Sequence, residues 1–276
     1  MWRPVTFCAA VKLFQRPPPP PHHSFVRPYS PINLRKTAVQ AALPTRGIFH
    51  FHFWHYGRWT EVIIDDRLPC RTDGRLLYSR PPDDDVFWSV LLEKAYAKVY
   101  GGYQELVGGK IRECLSDLTG GITEEWDLKA MSINQKRTLE LMLTLKTKRN
   151  CIFGCQTGAD TNELKRAGLV PSHAYAIIDT KEFVNSRDRQ IIALLIRNPW
   201  GRANWQGGFS ENSLDWTTVP TNIKPAMQKR LEENSGEFCR PCRYSPRSIC
   251  WPHGLASAYK CRNHTRTGSS PDRHIL

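Results

Sequence analysis

Gly168-Leu169-Val170-Pro171-Ser172-His173-Ala174-Tyr175 leads into the apolar Ala176-Ile177-Ile178, and Ile191-Ile192-Ala193-Leu194-Leu195-Ile196-Arg197-Asn198-Pro199-Trp200-Gly201 follows it. Residues 174–178 read as a strand. Residues 191–196 form a long apolar run that reads as a further strand. His173 therefore opens one strand and Asn198 closes the next. If the two strands are neighbours, the imidazole and the carboxamide come within hydrogen-bonding reach at one end of a sheet.

Outward from this pair, residues 151–155 read as a further strand and residues 136–145 as a short helix. Upstream, Ile48-Phe49-His50-Phe51-His52-Phe53-Trp54 alternates apolar and polar residues, and Tyr56-Gly57-Arg58 supplies a turn. Residues 59–64 then resume a β pattern, which predicts a hairpin. From Phe87 the period changes. Trp88, Leu91, Leu92, Ala95 and Val99 share one helical face, preceded by Asp83-Asp84-Asp85 and stopped by Gly101-Gly102. Gly120-Gly121 divides a helix-bearing part from a strand-bearing one.

The formal charge of +13 lies wholly in the two ends, leaving 25 basic and 25 acidic residues between 47 and 238. A neutral centre argues against a nucleic-acid-binding core, so no DNA or RNA partner is expected. The Pro17 to Pro21 run predicts a disordered extension over 1–46. Its acid-free, Arg-bearing composition has the flavour of a transit peptide, but the prolines interrupt an amphipathic helix. Nine cysteines at irregular spacing imply no disulfide scaffold. No apolar run is long enough to span a membrane, and a cytoplasmic setting is expected.

Four strings carry a resemblance. Asp65-Asp66-Arg67-Leu68-Pro69, Phe87-Trp88-Ser89-Val90-Leu91-Leu92-Glu93-Lys94-Ala95-Tyr96-Ala97-Lys98, the string ending at Tyr175, and Arg197-Asn198-Pro199-Trp200-Gly201 resemble the calpain catalytic core in order and spacing, over residues 47–238. The resemblance implies an α+β, papain-like, two-lobed cysteine protease core, with a partial first lobe at 47–121 and a β-rich second lobe at 122–238. It implies His173 as general base and acid, Asn198 as its orienter and Trp200 as a shield over the pair. Protein substrates or calpain regulators are the implied partners.

The family places Gln-Gly-x-x-Gly-Asp-Cys-Trp upstream of the string equivalent to Gly47-Ile48-Phe49-His50, and nothing here corresponds. Cys8 is the only upstream cysteine, without the flanking Gly-Asp and Trp. The expectation is a first lobe that is incomplete and a chain that is inactive as given. Calcium is the implied cofactor. The second-lobe ligand positions fall on Asn204, Glu211, Glu233, Ser235 and Glu237, a degraded set that predicts weak binding. In the first lobe the acid before Phe87 is Val86. Phe209 replaces a family tryptophan.

From Cys239 the sequence turns abruptly basic, and residues 239–276 are expected to be a disordered tail. Cys239, Cys242, Cys261 and His264 have a spacing formally like a zinc ribbon, which leaves a basic nucleic-acid binder as one alternative. Another is a non-catalytic, calpain-like binding or regulatory fragment.

Overall fold

The computed structural model describes residues 39–40, 47–79, 88–106, 108–144, 151–202, 204–233, 236–245, 248–250 and 255–262. Cys8, Val86, Phe87, Ser235 and His264 lie outside the described residues.

The alternating segment forms the expected hairpin. Strand β2 (Ile48–His55) pairs antiparallel with β3 (Arg58–Asp65), from Ile48 opposite Asp65 to His55 opposite Arg58. Tyr56 and Gly57 carry the turn with positive φ, at 49° and 78°, the geometry a tight hairpin turn requires. Short β1 (Val39–Gln40) adds to the β2 edge. The period of two sends Phe51 and Phe53 inward, where both are fully buried. They meet Leu91, Leu92, Ala95 and Tyr96 of helix α1 (Trp88–Tyr100) and Ile111, Leu115 and Leu118 of helix α2 (Ile111–Thr119). Burial of each such Phe or Leu contributes about 1.5–3 kcal/mol. Gly120 ends α2 in the left-handed conformation, φ 65°, its N–H donating to Ser116 O, and the chain turns at once into β4 (Ile122–Asp127).

A second, larger sheet follows. Its strand order is β4-β10-β5-β6-β7-β8-β9, with β5 (Cys151–Thr157), β6 (Ala174–Val184), β7 (Gln190–Arg197), β8 (Glu237–Ser245), β9 (Ser248–Cys250) and β10 (Leu255–Arg262). Helix α3 (Ile133–Thr144) packs Leu139 and Leu143 beside Phe153, Tyr175, Ile177, Leu194 and Ile196. The short α4 (Asn162–Arg166), capped by the Thr161 hydroxyl, adds Leu164 to this core. Helix α5 (Lys224–Glu233) leads into β8. Phe183, Ile191, Ala193, Phe209, Trp216 and Cys239 form a third apolar cluster.

The expectation of a disordered tail from Cys239 is corrected for residues 239–245, 248–250 and 255–262, which are strands. Residues 239–245 continue β8 along the outer edge of β7, from Leu195 opposite Cys239 to Ile191 opposite Arg243. An apolar strand in the middle of a sheet needs partners on both edges, and β6 supplies only one. Strand β10 inserts between β4 and β5, and its register sets Lys260 opposite Glu124.

Candidate active site

Strands β6 and β7 are antiparallel neighbours, with Ala176 opposite Arg197. The start of one therefore adjoins the end of the other, and His173 meets Asn198 as the sequence predicts. His173 Nε2 lies 2.9 Å from Asn198 Oδ1, and both residues are buried. The Trp200 backbone N–H also donates to Asn198 Oδ1, at 2.9 Å. An amide N–H can only donate, so this contact fixes Oδ1 as an acceptor and requires the proton of His173 to sit on Nε2. Nδ1 then carries the lone pair.

The backbone around both residues is tightly held. Thr157, at the end of β5, accepts the His173 N–H on its hydroxyl at 2.9 Å and donates that hydroxyl to Val170 O at 2.6 Å. Its own N–H bonds His173 O at 3.0 Å. Ser172 turns the chain with a positive φ of 46°, its N–H donating to Gly158 O at 2.7 Å. Asn198 donates its N–H to Gly236 O at 2.8 Å. Thr157 and Gly236 were not singled out in the sequence. Thr157 stands just past the apolar stretch 151–155, and Gly236 reveals its part only through its neighbours. A Cβ on Gly236 would lie 2.9 Å from Gly201 Cα, closer than real packing permits.

Aromatic rings complete the setting. Trp200 tilts over the imidazole at 4.4 Å between centroids, and Tyr175 meets it edge-on at 4.8 Å. Trp200 itself is 38 % exposed, so it stands between the imidazole and solvent. Burial pushes the His173 pKa below the usual imidazole value, and the hydrogen bond to Asn198 opposes that shift. The ring is therefore neutral near pH 7, the state in which Nδ1 can take a proton.

The partners of the imidazole among the described residues are Asn198, Trp200 and Tyr175, and none is a cysteine. The thiols of Cys155 and Cys239 are pushed by burial up to about 12, so neither is a ready thiolate.

A family model described as calpain family cysteine protease matches residues 32–242. The chain belongs to the calpain family of cysteine proteases. Calpain clp-1 of Caenorhabditis elegans is 45% identical over 196 residues, covering 70% of this chain and 24% of that protein. Calpain-8 of Rattus norvegicus is 41% identical and the Calpain-2 catalytic subunit of Bos taurus 40%, each over 192 residues, 70% of this chain and 27% of the relative. The chain spans about a quarter of the length of these calpains. The match starts before Gly47 and ends beyond Phe238, so the calpain-like region is wider than the motifs alone mark out.

Calpains are calcium-dependent as a family, but the described side chains at the inferred ligand positions, those of Asn204, Glu211 and Glu237, do not fit a cation site here. Glu237 is fully buried and accepts Arg230 Nε–H at 3.0 Å, with Arg197 Nη1 at 4.0 Å. Asn204 is exposed and its Oδ1 accepts from Gln206 at 3.1 Å; Glu211 is exposed to solvent. Glu233 ends α5. Among the described residues no three His, Cys, Asp or Glu side chains are grouped to hold a metal ion. The zinc-ribbon set is also dispersed. Strand β8 carries Cys239 and Cys242, strand β10 carries Cys261, and β5, β6 and β7 lie between them. At about 4.8 Å per strand step that is about 19 Å, too far for one tetrahedral ion.

Among the described residues no helix is long and apolar enough to cross a membrane.

Proposed function

We propose that this chain contributes the base-bearing half of a calpain-type cysteine endopeptidase site, with His173 as general base and acid, Asn198 as its orienter and Trp200 as its shield. The observation that carries the reading is the Nε2–H to Oδ1 bond of 2.9 Å, which leaves the Nδ1 lone pair for an incoming thiol. In the reaction so read, Nδ1 takes the proton of a cysteine thiol and the thiolate attacks a peptide carbonyl. The imidazolium, oriented by Asn198, then returns the proton to the leaving amine. The two-lobed arrangement, with residues 47–121 in one lobe and 122–238 in the other, belongs to this reading. So do protein substrates and a cytoplasmic setting.

The described residues place no thiol at Nδ1, so the chain alone is expected to be inactive. The assay is hydrolysis of a denatured protein substrate by the full chain, with and without calcium at about 1 mM, the weak-site range. Rates should equal those of His173→Ala under both conditions. Hydrolysis that is lost in His173→Ala and on thiol alkylation would instead mean that a cysteine outside the described residues, such as Cys8, completes the site.

A further inference from the structure

The chain reaches the candidate site at the residue just before strand β8. Gly236 lends its carbonyl to the Asn198 N–H, and the absence of a side chain lets its backbone abut Gly201. Glu237 comes next, paired across the sheet with Arg197, the residue before Asn198. A carboxylate with no solvent exposure requires a cation beside it. Arg230, in the last turn of α5, provides one. Its Nε–H donates to Glu237 Oε2 at 3.0 Å, while its Nη1 lies 4.0 Å from Asp179 Oδ2 on β6. Arg197 Nη1 stands 4.0 Å from the other oxygen of Glu237. One guanidinium thus contacts both β6 and β8 from α5, at the residue next to the carbonyl that holds Asn198 and across from the last residue of β7.

We propose that Arg230 is a positioning residue: an internal cation that fixes Glu237 and Gly236, and through them the Asn198 that orients His173, in the place where the family resemblance puts a metal ion. The inference rests on the reading of His173 and Asn198 as base and orienter. It explains why Glu237 is unsuited to calcium. A divalent cation approaching this carboxylate meets two guanidinium groups, while Asn204 and Glu211 are exposed and Asn204 Oδ1 already accepts from Gln206. This half of the site is therefore set by the chain itself, without calcium.

The test is 15N NMR of the His173 ring in the full chain, which reports the tautomer directly and needs no proteolysis. The native chain should show the Nε2–H form, unchanged by calcium at about 1 mM, a concentration suited to weak sites. Arg230→Met should give a mixture of tautomers, and Arg230→Lys, which keeps the charge, should recover much of the native pattern. Where Arg230→Met fails to fold because it strands a buried carboxylate, Arg230→Met with Glu237→Met removes that charge and should fold yet still show mixed tautomers. A folded single or double variant that retains the native tautomer would overturn the proposal, as would a calcium-induced change in the native ring signals. Asn198→Ala separates the two levels. If it too leaves the tautomer unchanged, the base-and-orienter reading fails; if it alone disturbs the ring, only the role of Arg230 does.

Discussion

His173 is held neutral by burial, and this has a consequence for stability as well as chemistry. Its folded pKa lies below the ordinary 6.5, so between the two values the unfolded chain binds more protons than the folded one. The contribution is fully present above about pH 6.5 and is lost as pH falls through the folded value. An NMR titration of the ring should give a midpoint under 6.5, and Trp200→Ala, which opens the ring to water, should move it upward. Gly236 sets the other constraint at this scale. Gly236→Ala drives a methyl to 2.9 Å from Gly201 Cα and should cost about 1–3 kcal/mol in denaturant unfolding, the range for overpacking. It should also disturb the Asn198 N–H, whose acceptor is the Gly236 carbonyl.

Helix α3 carries a buried carboxyl that, among the described residues, serves neither the candidate site nor an ion pair. Glu140 is 5 % exposed, its Oε1 has no hydrogen-bond partner among the described residues, and desolvation lifts its pKa from 4.5 to about 7 despite Arg137. A raised folded value means the contribution is complete below about pH 4.5 and is lost as pH rises through about 7. Glu140→Gln should therefore raise the melting temperature near pH 8, by the equivalent of about 1–3 kcal/mol, with the gain vanishing near pH 4.5. How well each element could be read in advance follows from its pattern. The hairpin of β2 and β3 and helix α1 were legible because clean periods of two and 3.6 coincide with turn residues. His173 and Asn198 were legible as a pair because each stands in a calpain-like string, and the apolar strands beside them gave a way for the two to meet. Helix α2 was missed: Ile111, Cys114, Leu115 and Leu118 do share a face, but its nine residues lie close behind the Gly108-Gly109 break. Glu237 was read as a metal ligand because the sequence alone does not reveal that Arg230, seven residues away, would reach it.

Across the whole molecule the basic tail changes from appendage to structural strand. Its composition argued for disorder, yet β10 forms backbone pairs with both β4 and β5, and its loss would leave two strand edges unpaired inside one sheet. A chain ending at residue 245 should aggregate or show markedly faster amide exchange in β4 and β5. Unchanged exchange would mean that the sheet closes without the tail. Whether His173 and Asn198 form a competent base awaiting a thiol is decided by complementation. The full chain would be mixed with a separately produced cysteine-bearing lobe of a related calpain, and hydrolysis of a protein substrate measured. The account expects cleavage only in the mixture, abolished by His173→Ala and strongly reduced by Asn198→Ala. Cleavage by the mixture that persists in full with His173→Ala would contradict it.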